Sequence, residues 1–374
     1  MTSTRPLISI VIPTRERVET LRATLSTVLA QKSDRIEILV ADNASSDGTQ
    51  AFVESISDPR LRYVNSGGRV SMSANWEIAL AHATGEYFLI IGDDDAVLPG
   101  AIDRFIRDID GKTEVYIWPK HIYVWPAAGR NAYVERLALQ TAPQWADLAR
   151  LARFVIRMGG WRHYLLPSIY HSVVARRIPD EIRRRTGRVY HSVLPDVFMA
   201  MCVPALATTA RDVGYTVTAH GRSQNSNGWV ATISTESAAL RRFVEEYGHY
   251  RLHPTLYPGI PITANLVPDA ILVARDLFPE SYASAQFGYE AMWAYICRDA
   301  ATFKWHVKPW DVVTDRLRIR EYHPLRLGRF AAYLAMQEAA GIRSRLVNRV
   351  AAPTAPADIG GFVQGLVARG PTAS

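Results

Sequence analysis

The sequence has few cysteines and no long apolar run, and each lack excludes a class of protein. Among 374 residues only Cys202 and Cys297 are cysteines, and both lie in apolar sequence. This pattern fits reduced core thiols rather than a disulfide framework or a zinc site. No segment offers the roughly 18 uninterrupted apolar residues of a membrane span, because Pro204 interrupts the apolar stretch 197–207. The N-terminus has no apolar signal-peptide core, so we expect a cytoplasmic protein.

The signs of nucleic-acid binding are also lacking, although the net charge is +7. There is no zinc-finger spacing and no aromatic-rich RNA motif, so we predict no nucleic-acid partner. The positive charge is concentrated in residues 301–374, which hold eleven Lys/Arg and five Asp/Glu. Two interpretations of this segment stay open: peripheral contact with anionic lipid headgroups at the inner face of the membrane, or ordinary solvated helix surfaces.

The first 120 residues alternate short apolar runs with helical patterns, which is typical of βαβ units. We therefore predict an α/β fold with a Rossmann-like, mainly parallel sheet flanked by helices. The predicted strands cover residues 7–12, 36–41, 61–65, 87–91 and 114–118.

The second part of the chain has a less regular pattern and becomes mostly helical. A helix is predicted over 145–158 and a strand over 163–170, and the chain beyond about residue 235 is predicted to be a helical extension. The helices predicted in that extension cover 237–247, 283–298 and 324–340. The tail from Ala351 contains apolar residues at helical spacing, but we expect a frayed terminus rather than a docking helix.

Polar residues follow the predicted strands at their carboxyl ends, where open α/β sheets bind ligands. They are Pro13–Arg17 after the first strand, Asp42–Ser45 after the second, Gly67–Arg69 after the third and Gly92–Asp95 after the fourth. These four groups predict a single ligand-binding crevice along one edge of the sheet.

The three adjacent aspartates, Asp93, Asp94 and Asp95, are the most informative of these groups. Carboxylates at the end of a buried strand are costly to desolvate, so they either reach water or hold a cation. An extended backbone would let Asp93 and Asp95 bind one divalent metal, Mn²⁺ or Mg²⁺, and would turn Asp94 toward a ligand hydroxyl. The alternative is a solvated acidic turn that caps the next helix.

A nucleoside diphosphate leaving group would explain these residues together. A cation on the aspartates would neutralise charge that develops on the diphosphate. Asp42 could accept a hydrogen bond from a base imide, and Arg15 or Arg17 could approach the base or the phosphate. The alternatives are an Asx-turn at Asp42 and ordinary loop solvation of the arginines.

Four motifs resemble those of family 2 glycosyltransferases with the GT-A fold. They are, in order, Ile12–Arg15, Val40–Thr49, Met72–Glu77 and Gly85–Asp95. Their order and spacing within about 100 residues are more specific than any single motif. The resemblance implies a metal-dependent, inverting transfer of a sugar from a UDP- or GDP-type nucleoside-diphosphate sugar. The implied acceptor is a glycan or a lipid-linked hydroxyl, in polysaccharide or glycolipid assembly.

The resemblance also implies roles for particular residues. It gives Asp95 the metal position, with Asp93 as a second ligand, and it assigns a ribose or sugar contact to Asp94. The residues expected at the nucleotide are Pro13, Thr14, Arg15, Arg17, Asp42, Asn75, Asp93 and Asp94. Asn75 matches a common family residue, although helix N-capping would explain it equally well.

Two positions depart from the family pattern. Gly92 stands where many members have the first aspartate of the motif, which leaves open which aspartate binds the metal. Ala74 stands where many members have an arginine, so one expected phosphate or sugar contact is missing.

One-step inversion requires a general base beside the acceptor hydroxyl. Family members supply it as an Asp or Glu at the start of a later helix, and Asp196 matches that place. The alternative is that Asp196 only satisfies a helix N-terminus. Its nearest rivals, Asp180 and Glu181, are expected in an exposed basic loop.

The polar stretch 220–228 is predicted to be a loop. It could close over the diphosphate or meet the acceptor through His220, Arg222 and Ser226, or it could be a plain surface loop. The other histidines in this part, His163, His171 and His191, are expected in the core or at the acceptor site rather than on a metal.

Four regions follow from this interpretation. Residues 1–120 are the nucleotide-sugar-binding half, 121–235 the acceptor-binding half of the same domain, 236–350 a helical extension and 351–374 a flexible tail. Two other functions remain as alternatives: a non-catalytic nucleotide-sugar- or lipid-binding scaffold of the same fold, and a sugar nucleotidyltransferase. The latter expects a glycine-rich phosphate loop, and residues 13–17 contain no glycine.

Overall fold

A computed structural model describes the following residues of the chain: 5–127, 130–224, 226, 245–248, 251–254, 256, 263–302, 324–348 and 355–368. The strands within them are β1 Ile8–Thr14, β2 Ile36–Asp42, β3 Leu61–Asn65, β4 Tyr87–Ile90, β5 Ala96–Val97, β6 Val115–Ile117, β7 His121–Val124, β8 Tyr133–Arg136, β9 Gln144–Trp145, β10 Val173–Ala175, β11 Ala210–Asp212 and β12 Thr218–Arg222.

Helices alternate with the first strands and then dominate the second half. They are α1 Val18–Leu29, α2 Thr49–Glu54, α3 Met72–His82, α4 Ala101–Asp108, α5 Leu148–Arg157, α6 Arg177–Thr186, α7 Pro195–Leu206, α8 Thr263–Leu277, α9 Pro279–Tyr282, α10 Tyr289–Thr302, α11 Pro324–Asn348 and α12 Ile359–Ala368. Among the helices of these described ranges, none is both long enough and apolar enough to cross a bilayer.

The larger sheet has the strand order β3-β2-β1-β4-β10-β6-β11-β9. Its first four strands are parallel, and β10 is antiparallel to both of its neighbours. Strands β2 and β4 are buried along their whole length, as expected of parallel strands covered by helices on both faces. The predicted α/β fold with a mainly parallel sheet and a helical C-terminal region is confirmed.

A second sheet has the order β5-β12-β7-β8 and lies against the end of the first. Strand β5 directly follows the aspartate triplet and pairs with β12, which in turn pairs with β7. This sheet therefore carries the chain that leaves the triplet and brings residues 218–222 back beside it.

The strand predicted over 163–170 is wrong. Residues His163–Leu165 form a short 3₁₀ helix, and the strand comes later as β10. Pro167 has no N–H to give to a strand ladder. Ile169 and His171 have φ angles of 66° and 53°, which interrupt an extended chain.

Helix boundaries differ from the prediction for local reasons. Helix α5 begins at Leu148 rather than at residue 145, because the Asp147 side chain caps it by accepting from the Arg150 N–H at 2.9 Å. Helix α10 begins at Tyr289, and the helix predicted from Pro324 is confirmed as α11. Most of the helix predicted over 237–247 lies outside the described residues.

The expectation of a frayed tail is wrong for residues 355–368. Helix α12 buries Ile359, Phe362 and Val363, and Phe362 stacks on Tyr123 of β7 with ring centroids 5.4 Å apart. The Tyr123 hydroxyl also donates to the Pro356 carbonyl at 2.6 Å. An apolar stripe at i, i+3 and i+4 is wide enough to dock a short helix on the second sheet.

Candidate functional site

The aspartate triplet lies at the carboxyl end of β4 in a turn, not in an extended strand. The Asp95 N–H donates to the Gly92 carbonyl at 3.2 Å, so the chain reverses at Asp93 and Asp94. All three side chains are buried, with exposures of 0%, 3% and 0%. The extended backbone assumed for the triplet is therefore wrong, and a metal shared by Asp93 and Asp95 stays a prediction.

Asp93 contacts residues that follow β1. Its Oδ2 accepts from the Thr14 hydroxyl at 2.6 Å and lies 3.0 Å from Nε of Arg17. Its Oδ1 is buried and has no hydrogen-bond partner in the part of the chain that the structure describes. Burial raises the pKa of the Asp93 carboxyl to about 7, although Arg17 opposes the shift.

Asp94 faces the loop after β12. Its Oδ2 accepts from the Ser223 N–H at 3.1 Å and from the Ser223 hydroxyl at 2.6 Å. The Asp94 carbonyl accepts from the indole N–H of Trp125 at 2.8 Å. Burial and the neighbouring Asp95 raise the pKa of the Asp94 carboxyl.

Asp95 accepts hydrogen bonds on both of its oxygens. The Gly92 N–H and the Tyr170 hydroxyl donate to Oδ2 at 2.5 and 2.7 Å, and the Gly221 N–H donates to Oδ1 at 2.7 Å. This is the most strongly bonded carboxylate of the triplet, which ties the end of β4 to β12.

Two histidines complete the surroundings of Asp95. Nε2 of His171 lies 3.0 Å from Oδ2, and Nδ1 of His220 lies 3.3 Å from Oδ1. Burial alone would raise the pKa of Asp95, but His171 and His220 outweigh it and hold that pKa well below its usual value. Asp95 is therefore ionised where Asp93 and Asp94 are pushed toward the neutral form.

Asp95, His171 and His220 could hold a metal ion, because one ligand atom of each lies within 4.8 Å of the others. Burial lowers the pKa of His171 to about 4, so its imidazole is neutral at pH 7, the form that binds metals. The Thr218 hydroxyl lies 2.7 Å from Nδ1 of His171 and orients the ring from behind. One carboxylate with two imidazoles is a chemically suitable donor set.

Sequence reasoning missed His171, which was expected to avoid the metal. Its ring belongs to the described cluster although it follows an irregular stretch of chain. The same reasoning gave no role to Tyr170, whose hydroxyl bonds to Asp95. The adjacent pair Tyr170-His171 follows Pro167 closely in the sequence, and no periodic pattern marked it.

The structure explains why residue 92 is glycine. A Cβ there would lie 2.9 Å from Oδ1 of Asp94 and 3.0 Å from both Oδ2 of Asp95 and the Tyr170 hydroxyl. An aspartate in that position would crowd these oxygens. Gly221 is under still tighter constraint, because a Cβ would lie 1.7 Å from the Asp94 carbonyl oxygen. Strand β12 can therefore approach the triplet only through a glycine.

The other predicted nucleotide residues lie at the same edge of the sheet but are engaged by protein groups. Pro13 and Thr14 end β1. Asp42 is fully buried; its Oδ1 accepts from the Ser45 N–H and hydroxyl at 3.1 and 2.5 Å, and its Oδ2 from the Tyr63 hydroxyl at 2.7 Å. The turn that was the alternative for Asp42 is thus present, and its contact with a base stays a prediction.

Asn75 does not cap α3. Its side chain donates to the Ala41 carbonyl at 3.0 Å, and Ser71 is the N-cap, accepting from the Ala74 N–H at 3.3 Å. The N-cap interpretation of Asn75 is therefore wrong, because the helix begins earlier than expected. The buried amide joins α3 to β2.

Asp196 lies in the first turn of α7, directly after Pro195. Burial raises the pKa of its carboxyl, and the nearby His163 opposes the shift. The rival carboxylates are not in a loop but on α6, where Glu181 pairs with Arg184 and Arg185 on the same helix, 2.7 Å from each. Asp180 is also on α6.

Residues 220–222 are part of β12, so the prediction of a loop beginning at His220 is wrong. Because the strand pairs with β5 and β7, its backbone is fixed. His220 reaches Asp95, but Arg222 pairs with Glu135 of β8 at 2.5 Å. The Ser226 hydroxyl donates to the Ser223 carbonyl at 3.0 Å. Of the three, His220 is the one whose contact with the triplet is described, through Asp95.

Residues 9–155 match the sequence profile described as glycosyl transferase family 2. This part of the chain, under half of its 374 residues, therefore resembles family 2 glycosyltransferases. The resemblance seen in the four sequence motifs is thereby confirmed over the region that carries β1 to β4 and the triplet.

Curated relatives match about a quarter of this chain. A GalNAc(5)-diNAcBac-PP-undecaprenol beta-1,3-glucosyltransferase of Campylobacter jejuni is 30% identical over 105 residues, which are 27% of this chain and 34% of the relative. A UDP-Glc:alpha-D-GlcNAc-diphosphoundecaprenol beta-1,3-glucosyltransferase of Escherichia coli is 32% identical over 100 residues, which are 27% of this chain and 40% of the relative. The chain thus spans well under half the length of these two relatives.

Among solved structures, S. aureus TarS 1–349 in complex with UDP-GlcNAc is 15% identical. The superposition has a TM-score of 0.47 and covers 66% of this chain and 68% of that one. The fold of this chain is established by its own strand order, described above.

Proposed function

We propose that this chain is an inverting glycosyltransferase that moves a sugar from a nucleoside-diphosphate sugar to an acceptor hydroxyl. One observation carries the proposal: a carboxylate and two imidazoles lie together at the carboxyl end of β4, and the carboxylate, Asp95, belongs to the part of the chain that matches the family 2 profile. In parallel α/β sheets that edge is where ligands bind.

The donor would lie over the ends of β1 to β4. Asp95, His171 and His220 are the groups that would hold a divalent cation, and we propose Mn²⁺ rather than Mg²⁺, which prefers oxygen ligands. When bound, the cation would neutralise charge on the departing diphosphate. Asp93, with an unpartnered buried Oδ1, and Asp94 are proposed to meet the ribose and the sugar, with Thr14 and Arg17 holding Asp93 in place.

Asp196 is proposed as the general base. It would accept the proton of the acceptor hydroxyl as the new bond to the anomeric carbon forms and the bond to the diphosphate breaks, which inverts the configuration. Its raised pKa supports this role, because a stronger base accepts the proton more readily.

The acceptor is proposed to be a glycan or a lipid-linked glycan. Both relatives named above are, by their names, transferases that act on undecaprenol-linked diphosphates. A cytoplasmic chain with peripheral membrane contact through the basic segment 301–374 would suit such an acceptor. Flotation with anionic and neutral liposomes tests the contact, and equal binding to both would contradict it.

Calorimetric titration of UDP and GDP, with and without Mn²⁺, tests the donor site. We expect metal-dependent binding by the wild type and its loss in Asp95→Asn. The matched control is Asp34→Asn, an exposed aspartate before the amino end of β2, which should bind as the wild type does. Absence of binding to either nucleotide would contradict the proposal, and binding without sugar transfer would point to a binding scaffold instead.

A further inference from the structure

Residues 245–248 are remote in sequence from the sheet edge, yet they contact it at several points. Oε1 of Glu246 lies 2.6 Å from a terminal nitrogen of Arg15 and 3.4 Å from Nε of Arg69. The next residue, Tyr247, donates its hydroxyl to the Val193 carbonyl at 2.9 Å and lies 3.1 Å from the Ser73 N–H. This short segment is therefore held against residues that follow β1 and β3 and against the first turn of α3.

The position of these contacts follows from the strand order β3-β2-β1-β4. Arg15 follows β1 and Arg69 follows β3, whereas the aspartate triplet follows β4 on the other side of β1. If the diphosphate lies at the triplet, the nucleoside extends over β1 to β3. Glu246 then lies beside the nucleoside and away from the phosphates.

Positive charge exceeds negative charge around Glu246. Two guanidinium groups share one carboxylate, so the cluster of Arg15, Arg69 and Glu246 keeps a net positive charge and repels no anionic ligand. Both arginines contact Oε1 of Glu246, and Oε2 is buried without a hydrogen-bond partner among the described residues. A buried acceptor without a donor is unfavourable, and a ligand N–H or O–H would satisfy it.

We propose that Glu246 recognises the nucleoside of the donor. Its Oε2 accepts a hydrogen bond from a base N–H or a ribose hydroxyl, while Arg15 and Arg69 hold the carboxylate in place. This inference rests on the proposed function and adds a specificity residue that lies outside the family 2 match.

The test is calorimetric titration of UDP and GDP, in the presence of Mn²⁺, into wild type, Glu246→Ala and Glu246→Gln. We expect about tenfold weaker nucleotide binding in Glu246→Ala, the size of a lost hydrogen bond to a charged group. A smaller loss is expected in Glu246→Gln, which keeps the side-chain size. The matched control is Glu245→Ala, because Glu245 is the exposed neighbour.

A third ligand, UDP without its 2′ and 3′ hydroxyls, tells whether a ribose hydroxyl or a base N–H donates the hydrogen bond to Glu246. If a ribose hydroxyl bonds to Glu246, the wild type loses affinity for this analogue and Glu246→Ala does not. If a base N–H bonds to Glu246, the wild type and Glu246→Ala lose the same affinity for the analogue. In that case Glu246→Ala instead has a different ratio of UDP to GDP affinity from the wild type. Either pattern supports the inference.

Unchanged nucleotide binding in Glu246→Ala would overturn the inference and leave the proposed function standing. Tighter binding would also overturn it, since the carboxylate would then be a counter-ion that the nucleotide must displace. No binding by the wild type would overturn the proposed function and this inference together.

Discussion

The two parts of the chain that meet at the site supply opposite chemistry. Residues 1–120 supply three buried carboxylates, and residues 163–223 supply the imidazoles, hydroxyls and backbone N–H groups that surround two of them. Buried carboxylates are stable only when such donors are present. The aspartates therefore depend on the packing of the second sheet, and the proposed donor site is formed by both parts of the chain.

Asp93 and Asp95 show the consequence. The partners of Asp93, Thr14 and Arg17, come from the first part alone, and its pKa is raised to about 7. Asp95 is bonded mainly to the second part, and its pKa is well below its usual value. The pKa values of two equally buried aspartates are thus shifted in opposite directions because different parts of the chain reach them.

The largest expected effect comes from a change confined to the second part. Asp196→Asn should lower kcat by roughly 10²- to 10⁴-fold, since it removes the proposed general base, and should leave UDP or GDP affinity unchanged. Single-turnover transfer and calorimetry measure the two quantities separately. Asp180→Asn, on the surface of α6, is the control. A loss below tenfold, or an equal loss in the control, would contradict the assignment.

The second largest effect is expected from removing either of the imidazoles proposed to bind the cation. His171→Asn and His220→Asn should each weaken Mn²⁺ binding by about 10- to 100-fold, because each removes a donor that the carboxylate cannot replace. Electron paramagnetic resonance of free Mn²⁺ measures this without turnover. His191→Asn, whose ring bonds to Thr186 on α6, is the control. Equal affinities in all three variants would show that the carboxylates alone bind the ion.

The first part of the site could be predicted from sequence because its signals are local. Apolar runs give β1 and β4, and the residues that follow them in the chain, such as Thr14 and Asp93, must lie at the carboxyl edge. The same reasoning did not predict where the aspartate side chains point. It assumed an extended backbone, whereas a four-residue turn at Gly92–Asp95 gives neighbouring side chains different partners.

The second part could not be predicted, because its placement depends on pairing between distant strands. His220 reaches Asp95 only because β12 pairs with β5 and with β7. His171 follows residues with positive φ, which carry no periodic signal. Phe362 has helical spacing in the sequence, but its burial requires Tyr123, which no local pattern indicates.

A change confined to the first part should affect stability and not the site. Glu37 of β2 is buried and accepts from the Ser9 hydroxyl at 2.5 Å, the Gly85 N–H at 3.0 Å and the Thr84 N–H. Burial alone would raise the pKa of Glu37, but these hydrogen bonds outweigh it and lower that pKa. Glu37→Gln should lower the free energy of unfolding by about 1.5–3 kcal/mol at pH 7.

The pH dependence of that effect follows from its sign. A carboxyl with a lowered pKa in the folded state stabilises the fold fully above its unfolded pKa, near 4.5, and loses this contribution as the pH falls further. The difference between Glu37→Gln and wild type in urea denaturation should therefore stay the same between pH 7 and about pH 5 and shrink as the pH falls below about 4.5. Gln50→Glu on exposed α2 is the control for a charge change, and a constant difference would contradict the prediction.

The smallest expected effect concerns α12, the C-terminal helix that packs on the second sheet. Tyr123→Phe removes the hydroxyl that donates to the Pro356 carbonyl and keeps the ring stacked on Phe362. The loss of one hydrogen bond, about 1 kcal/mol, should raise amide exchange in α12 about fivefold.

Tyr133→Phe, on exposed β8, should leave exchange in α12 unchanged. Because β7 and α12 also support β12, the effect should reach the His220 amide only if the second sheet loosens with the helix. Faster exchange in α12 alone would mean that the sheet holds the site by itself. Faster exchange in both would mean that the C-terminal helix is part of what keeps the histidine beside Asp95.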